Sequence, residues 1–297
     1  MICPICNHTR IVSLREVNEY WHCRGCGVAW RKKLQKTTYK EDYYAPASSA
    51  ASIMFRPLLN FFYFLRSRYS ERKQHGLWID VGAGDGNFVS GVDAKRKIGV
   101  EGSLAAREIM KKKGIRVLGD ASFLQKRGLA ADVISFWHVL EHLVDPEKFL
   151  LASFRNLKKS GELIVAVPNI DSFEFGFFER DWFHLEPKLH LWHFSPKSIK
   201  ILLRKCGFRI KRIDYFSIEH HPTGLLQSFI NKGSSQKNSL HKLVKSIRQT
   251  GAVAVKASDV LVNLFWLTLG LPIIFIVWII NSLTERSGTF VIVAVKR

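Results

Sequence analysis

Between Leu77 and Val167 the chain alternates short apolar runs with helix-compatible stretches, and no other feature restricts its fold as much. Strands are expected at Leu77–Val81, Ile98–Glu101, Ile115–Leu118, Asp132–Phe136 and Glu162–Val167, with helices at 103–113 and 147–158. Such alternation is satisfied by parallel strands joined through helical crossovers, an α/β doubly wound sheet that binds ligands at the carboxyl ends of its strands. The first strand runs into Gly82-Ala-Gly84-Asp-Gly86-Asn-Phe88, and helix-compatible residues continue to about Arg96. Glycines at a strand-to-helix turn let the backbone approach a ligand and feed a helix N-terminus. Their G-x-G-x-G spacing departs from the G-x-G-x-x-G of nicotinamide sites. Glu101 ends the second strand, where a carboxylate can accept from both hydroxyls of a ribose.

The N-terminus carries a second signal. Cys3-Pro-Ile-Cys6 and Cys23-Arg-Gly-Cys26 form two C-x2-C knuckles. Four thiolates spaced this way suit one tetrahedral, closed, structural zinc, and Gly25 and Gly27 supply the tight backbone of a knuckle. The remaining thiol, Cys206, falls at an apolar helix end and reads as a core residue. Met1 to Cys6 leads straight into the knuckle with no apolar stretch, so no signal peptide is expected.

Taken together, the motifs resemble those of class I S-adenosylmethionine-dependent methyltransferases of the type 11/23-like group, which includes the ubiquinone-biosynthesis O-methyltransferases. The matching residues are Asp80-Val-Gly-Ala-Gly-Asp-Gly86, Gly99-Val-Glu101-Gly-Ser103, Gly119-Asp120-Ala121 and His138-Val-Leu-Glu-His142-Leu-Val-Asp-Pro146. Gly161 to Asn169 and His193 to Phe208 continue the match. Some members also carry an N-terminal zinc ribbon followed by a Tyr-rich segment, here Tyr39, Tyr43 and Tyr44.

The resemblance implies a seven-stranded Rossmann-like sheet whose last strand, within Ser287–Lys296, lies antiparallel beside the strand at 208–216. It implies S-adenosylmethionine as cofactor. Gly82, Gly84 and Gly86 would lie against its methionine part, with Asp80 orienting that loop and the amino group. Glu101 would hold the ribose, Asp120 and the Ala121 amide would meet the adenine, and Trp137 and His138 would flank the sulfonium. Methyl transfer is an in-line displacement, in which alignment is worth ~7–11 kcal/mol. A hydroxyl acceptor adds the need for a general base. Among His138, His142, His184, His190 and His193, the favoured bases are His138, after the fourth strand, and His190, beyond the fifth. Trp182, Phe183 and Trp192 are candidates for an apolar acceptor wall. In ubiquinone-type members the stretch at 138–142 is Glu-x-x-Glu-His and implies a divalent metal. Here His138 stands at its first position, and Glu141 and His142 read as structural residues at a helix start.

One region breaks the pattern. Val260–Leu283 is a 24-residue run without a charged side chain, long enough to cross a hydrocarbon core of ~30 Å. Yet it lies between two strands of one sheet, which forbids a single full span. Gly270-Leu-Pro272 interrupts it, and half-helices of about eleven residues each reach only ~16 Å. A re-entrant hairpin or an interfacial helix pair is therefore expected, with a pair buried in a dimer or against the core as the other reading. Lys232, Lys237, His241, Lys242, Lys245, Arg248 and Lys256 precede it, and suit anionic headgroups. Ile53–Tyr69, rich in Phe, reads as a lid or packing helix over the cofactor site, or as a second membrane contact.

Charge follows this division. The 297 residues hold 45 Lys+Arg and 25 Asp+Glu, a net charge of +20. Residues 76–224 carry 23 basic against 18 acidic side chains, whereas 225–297 carry 9 against 2 and 1–75 carry 13 against 5. The excess thus sits outside the catalytic half, which argues against a nucleic-acid footprint. The expected organisation is a zinc ribbon at 1–35, an aromatic-rich connecting helical segment at 36–75, a methyltransferase domain at 76–224 plus 286–297, and a basic, hydrophobic membrane-associating insertion at 225–285. The expected function is a methyltransferase, of O-methyl type, acting on a small-molecule, lipid-linked or glycan acceptor at the cytoplasmic face of the membrane. The alternatives are a basic nucleic-acid-binding ribbon protein and an inactive methyltransferase-fold scaffold.

Overall fold

A computed structural model describes residues 1–14, 17–34, 56–72, 75–217, 219, 221–250 and 256–297. Tyr39, Tyr43 and Tyr44 lie outside the described residues. The strands are β1 (Ile11–Ser13), β2 (Tyr20–Cys23), β3 (Ala29–Arg31), β4 (Leu77–Val81), β5 (Arg96–Val100), β6 (Arg116–Leu118), β7 (Ala131–Trp137), β8 (Leu157–Pro168), β9 (Trp192–His193), β10 (Phe208–Asp214) and β11 (Thr289–Lys296). The helices are α1 (Arg56–Ser67), α2 (Asn87–Gly91), α3 (Leu104–Lys112), α4 (Asp120–Gln125), α5 (Pro146–Asn156), α6 (Phe173–Phe178), α7 (Pro196–Lys205), α8 (His221–Gly233), α9 (Ser239–Thr250), α10 (Ala257–Thr268) and α11 (Leu271–Leu283).

Seven strands form one sheet in the order β10-β11-β8-β7-β4-β5-β6. Strands β4 to β8 are parallel to their neighbours in that group, and β11 is antiparallel to both β8 and β10. This is the doubly wound, Rossmann-like seven-stranded sheet that the sequence leads one to expect. Apolar side chains pack on both faces, which is why β4 and β7 read as continuous rather than alternating apolar runs. Phe88, Val89, Met110 and Ile115 cover one face, while Phe123, Leu150, Ile199 and Leu202 cover the other.

Local boundaries differ where a side chain intervenes. Helix α2 ends at Gly91, well before Arg96, because Val92 is already extended. Helix α5 stops at Asn156, whose side chain donates to Lys126 O and accepts from Leu129 N. Strand β10 ends at Asp214 because its carboxylate accepts from Phe216 N and turns the chain. Helix α7 begins as its Ser-Pro start suggests. Ser195 caps it reciprocally with Ser198.

The N-terminal strands form a separate sheet that does not stand alone. Its order is β1-β2-β3-β9, so its fourth strand comes from the segment joining β8 to α7. Ala29 pairs with His193 and Trp30 with Trp192. Tyr20 donates to His190 O at 2.7 Å, and Ser195 Oγ donates to Cys26 O at 2.6 Å. The ribbon is therefore built into the connection that leads away from the site.

Helices α8 to α11 fill the excursion between β10 and β11. Helices α10 and α11 are bent by 64° across the break at Leu269 and Gly270, just before Pro272, short of an antiparallel hairpin. Among the described residues, no single helix is long and apolar enough to cross a membrane. Their inner faces are anchored. Ile274 and Trp278 are buried, and Asp259 accepts from Ser235 N and Gln236 N at 2.8 and 3.1 Å. The excursion is tied back to the sheet by a fully buried pair, His221 Nε2 to Glu174 Oε1 at 2.7 Å, with Gly288 N donating to the same carboxylate.

Replacing Ser195 with Ala removes a helix cap and a link to the ribbon in one step. Such a variant should lose ~1–2 kcal/mol of unfolding free energy, read from the midpoint of urea denaturation at unchanged slope.

Candidate active site

The turn after β4 is where the backbone is least ordinary. Gly82, Gly84 and Gly86 all have left-handed φ, at 71°, 56° and 78°. A Cβ on Gly82 would sit 2.3 Å from Val139, and one on Gly86 would sit 2.5 Å from Met110, so both positions are closed to side chains twice over. Gly82 N and Ala83 N donate to Val100 O, which folds the turn against the end of β5.

Glu101 holds that arrangement. It is buried, one oxygen accepts from Gly84 N at 3.0 Å, and the other accepts from Ser103 N at 2.9 Å. A carboxylate offers about four lone-pair sites, so each oxygen can still accept from a ribose hydroxyl. Asp120 begins α4, and a Cβ on Gly102 would lie 3.0 Å from its carboxylate, which sets it beside Glu101. Ala121 follows, exposed on the first turn of α4. Arg107 ties the two loops by donating to Glu101 O and Gly102 O, with its guanidinium against Gly119.

Asp80, the penultimate residue of β4, is buried and accepts from Ser135 Oγ at 2.6 Å. Ser135 in turn accepts from Trp78 Nε1. Burial pushes the Asp80 carboxyl up to about 7, with the Ser135 hydrogen bond and the nearby Arg66 charge pulling the other way.

Trp137 closes β7. Its ring meets Phe88 and Tyr69, each at 5.7 Å, and the Arg66 guanidinium lies over it at 5.3 Å. His138 follows with left-handed φ of 55° and donates its backbone N–H to Ala166 O. For a non-glycine residue that backbone is uncommon, and it re-aims the side chain at the carboxyl end of the sheet. Trp137 and His138 line a cavity of about 270 Å³ together with Leu65, Arg66 and Tyr69 from the α1 end and Arg212, Phe216 and Val291 from the far strands. No sequence motif singles out Arg212 or Glu219, and Arg66 and Tyr69 stand out there only as members of the lid or membrane-contact segment Ile53–Tyr69. Arg66 grips Glu219 through paired hydrogen bonds across 153 residues, a contact that no local motif announces.

His190 is not among the residues lining this cavity. It lies in a cluster with the buried Glu141, His184 and His193 and the half-buried His142. His190 packs edge-on to His142 at 4.7 Å, and His184 stacks on His138 at 5.9 Å. Burial, then His142, His193 and the other neighbouring histidines, hold His190 well below the usual imidazole range, and burial brings His193 to about 4. Glu141 is fully buried, with His138 Nδ1 at 3.4 Å from one oxygen. Glu141 and His142 fall in a short helical turn, Leu140–His142, and their ligand atoms lie within 4.8 Å of that of His190. His142 Nδ1 meets Leu189 O at 3.2 Å. A carboxylate with two imidazoles could hold a borderline divalent cation. Trp182 and Trp192 are core residues, and Phe183 lines a different cavity beside the ribbon.

The ribbon's thiols also converge. Cys3, Cys6, Cys23 and Cys26 lie within 4.8 Å of one another, with Cys3–Cys26 at 3.7 Å and Cys6–Cys23 at 3.5 Å. A zinc tetrahedron with ~2.3 Å bonds has edges of ~3.8 Å. The set fits a structural zinc with no open position.

Comparison with known proteins agrees with this geometry. Residues 54–213, more than half of the chain, match the family model Methyltransf_23, described as a methyltransferase domain. The chain belongs to this family and is a class I S-adenosylmethionine-dependent methyltransferase. No curated protein matches it. Among solved structures, it resembles the methyltransferase complex with the Trm112 methyltransferase activator of Haloferax volcanii, at 12% identity and TM-score 0.52, covering 87% of this chain and 99% of that one. An enzyme assigned as a sarcosine dimethylglycine methyltransferase from Galdieria sulphuraria gives 17% identity and TM-score 0.51, covering 89% and 93%. Phosphoethanolamine N-methyltransferase 2 of Haemonchus contortus, in complex with S-adenosyl-L-methionine, gives 15% and 0.50, covering 80% and 52%. At these identities the likeness is one of fold.

Metal analysis of the purified protein should find zinc, and Cys6→Ser or Cys23→Ser should release it. Because β9 completes the ribbon sheet, each variant should also lower the melting midpoint of the whole protein by roughly 5–10 °C.

Proposed function

We propose that this enzyme transfers a methyl group to a hydroxyl of a small-molecule acceptor, lipid-linked in the reading favoured here, held in the cavity between α1 and the far strands. The observation that carries this is the convergence of the glycine turn, Glu101 and Asp80 beside a cavity whose wall is Trp137 and His138. S-adenosylmethionine supplies an electrophilic methyl on a sulfonium. Gly82, Gly84 and Gly86 would lie along its methionine part, Glu101 would accept from its ribose, Asp120 and the Ala121 amide would take its adenine, and Trp137 would flank its sulfonium. Asp80 would orient the turn and offer a carboxylate to the cofactor's amino group.

His138 is the general base in this reading, because it lines the cavity wall with its Nδ1 3.4 Å from the buried Glu141 carboxylate. His190, held neutral, acts with it from behind by fixing Glu141 and His142. The cavity is amphipathic, with Leu65, Tyr69, Phe216 and Val291 among Arg66, Arg68, Arg212, Asp214 and Glu219. That mixture suits an acceptor with both a charged and an apolar part. The enzyme works on the cytoplasmic membrane face, associated through 260–283. The basic run that leads into the insertion supports this reading, as does the apolar outer surface of α10 and α11.

Calorimetry checks the cofactor site. Gly84→Arg should abolish S-adenosylmethionine binding. Glu101→Ala should weaken it by ~10–100-fold through loss of charge-assisted hydrogen bonds. Equal affinity in wild type and both variants would refute these roles. A labelled-methyl assay on total lipid and on soluble extract then locates the acceptor, and label confined to the soluble fraction sinks the lipid-linked reading.

The pH dependence has a definite sign. Asp80 is pushed up to about 7, so it is protonated below that value and anionic above it. A cationic cofactor favours the anion, so affinity should rise as pH increases through about 7, and Asp80→Asn should flatten the profile. Stability runs the other way. A raised carboxyl favours the folded state at acid pH, and that contribution is lost as pH climbs through about 7.

A further inference from the structure

The apolar insertion is half an explanation, because α1 shows the same character on the other side of the cavity. Leu58, Phe61 and Phe64 recur every three residues on one face of α1 and are 49%, 48% and 57% exposed. Exposed Arg56 opens the helix, and exposed Arg68 follows its end. The opposite side of the same helix supplies Arg66 to the cavity and packs Tyr63 on Phe88, while Leu65, on the stripe's own side, lines the cavity at the helix end. A short helix with an outward apolar stripe bracketed by cations is the pattern of an interfacial helix.

Helices α10 and α11 are anchored inward by Asp259, Asn263, Ile274 and Trp278, yet Leu261, Leu264, Phe275 and Ile276 stand at least half exposed. Exposed Lys256 caps α10, and exposed Lys232 and Lys242 lie on the neighbouring α8 and α9. Phe216 joins the two regions. It lines the cavity, is 44% exposed, and packs on Trp278 of α11 at 4.7 Å. The cavity mouth therefore lies between two outward apolar surfaces, each edged with cations.

We propose that α1 and the outer faces of α10 and α11 form one docking surface for an anionic bilayer leaflet, set around the mouth of the acceptor cavity. An amphiphilic acceptor then reaches the cavity headgroup first, past Arg68, while its apolar tail stays in the leaflet. Charge complementarity selects a lipid surface over a second copy of the chain, because two such cation-edged faces would repel. The proposal deepens the lipid-linked reading above and rests on it only for the cavity's occupant. The surface itself is tested without cofactor or acceptor.

The test is co-sedimentation of the full-length protein with phosphatidylcholine vesicles, with and without phosphatidylglycerol, at low and high salt. Wild type should partition onto the phosphatidylglycerol vesicles and come off as salt rises. Phe61→Ser/Phe64→Ser and Leu264→Ser/Phe275→Ser should each lose about tenfold or more of this binding. Arg68→Glu should reduce the preference for phosphatidylglycerol by severalfold. Calorimetry with S-adenosylmethionine on the same variants separates a folded protein with a damaged surface from a misfolded one, and separates this proposal from the cofactor reading. Wild type left in the supernatant overturns the proposal. So does an α1 variant that binds like wild type, or a soluble dimer that the α10–α11 variant dissolves while vesicles bind neither form.

Discussion

Strand β11 is the constraint on which the rest of the structure depends. It lies between β8 and β10, is antiparallel to both, and is buried at every position but its last. Without it β10 has no partner in the sheet. The chain therefore leaves the sheet at Asp214, runs through the whole helical excursion, and returns to the same edge at Thr289. Whatever surface α8 to α11 present must lie on one side of any bilayer. That requirement fits a run of uncharged residues long enough to cross that is instead broken at Leu269 and Gly270 and bent by 64°. It also explains why Thr289 and Val291, the first part of the returning strand, form a wall of the cavity.

An excursion of that length needs fastening, and the fastenings are polar. His221 and Glu174 form a pair shielded from solvent on both sides, and the carboxylate also receives Gly288 N just before β11 begins. Asn169 donates to Ser287 O, and Ser287 Oγ donates to Tyr215 O, so both ends of the excursion are held to the end of β8. Such contacts are costly to break singly, because removing one partner leaves a buried group unsatisfied. They place helices α10 and α11 and the cavity wall in one fixed relation, which apolar packing of the two helices alone would leave free to slide.

Much of this was legible in the sequence, and the reasons are local. The parallel core strands, the glycine turn, the Ser195 cap and the paired cysteine knuckles are all dictated by residues within a few positions of one another. The misread boundaries are also local, but they turn on single side chains such as Asn156 and Asp214 that exchange a regular hydrogen bond for a turn. What stayed hidden is long-range. Tyr20 and His190 stand 170 residues apart, Ser195 and Cys26 169, and Arg66 and Glu219 153. Periodicity carries no record of such pairs. The sequence therefore suggests a ribbon that could be detached, whereas the fold makes its fourth strand from the connection beside the site.

That shared strand changes how the histidines must be understood. Taken one at a time, His138 and His190 are interchangeable candidates for a base. In the fold they belong to different layers. His138 stands at the cavity with a left-handed backbone, while His190 sits behind it, its carbonyl fixed by Tyr20 of the ribbon and its ring against His142. Burial, with the neighbouring histidines, holds His190 below the usual imidazole range and makes it a poor proton acceptor. Order then passes in one direction: four thiolates fix the ribbon, the ribbon fixes the His190–His193 segment, and that segment packs against Glu141 and His142. Glu141 in turn faces His138 Nδ1. A site that must align three atoms for an in-line displacement benefits from such a rigid backing, because errors of an ångström there are expensive in rate. On this argument the ribbon belongs to the methyltransferase machinery through its geometry, although none of its own side chains lines the acceptor cavity.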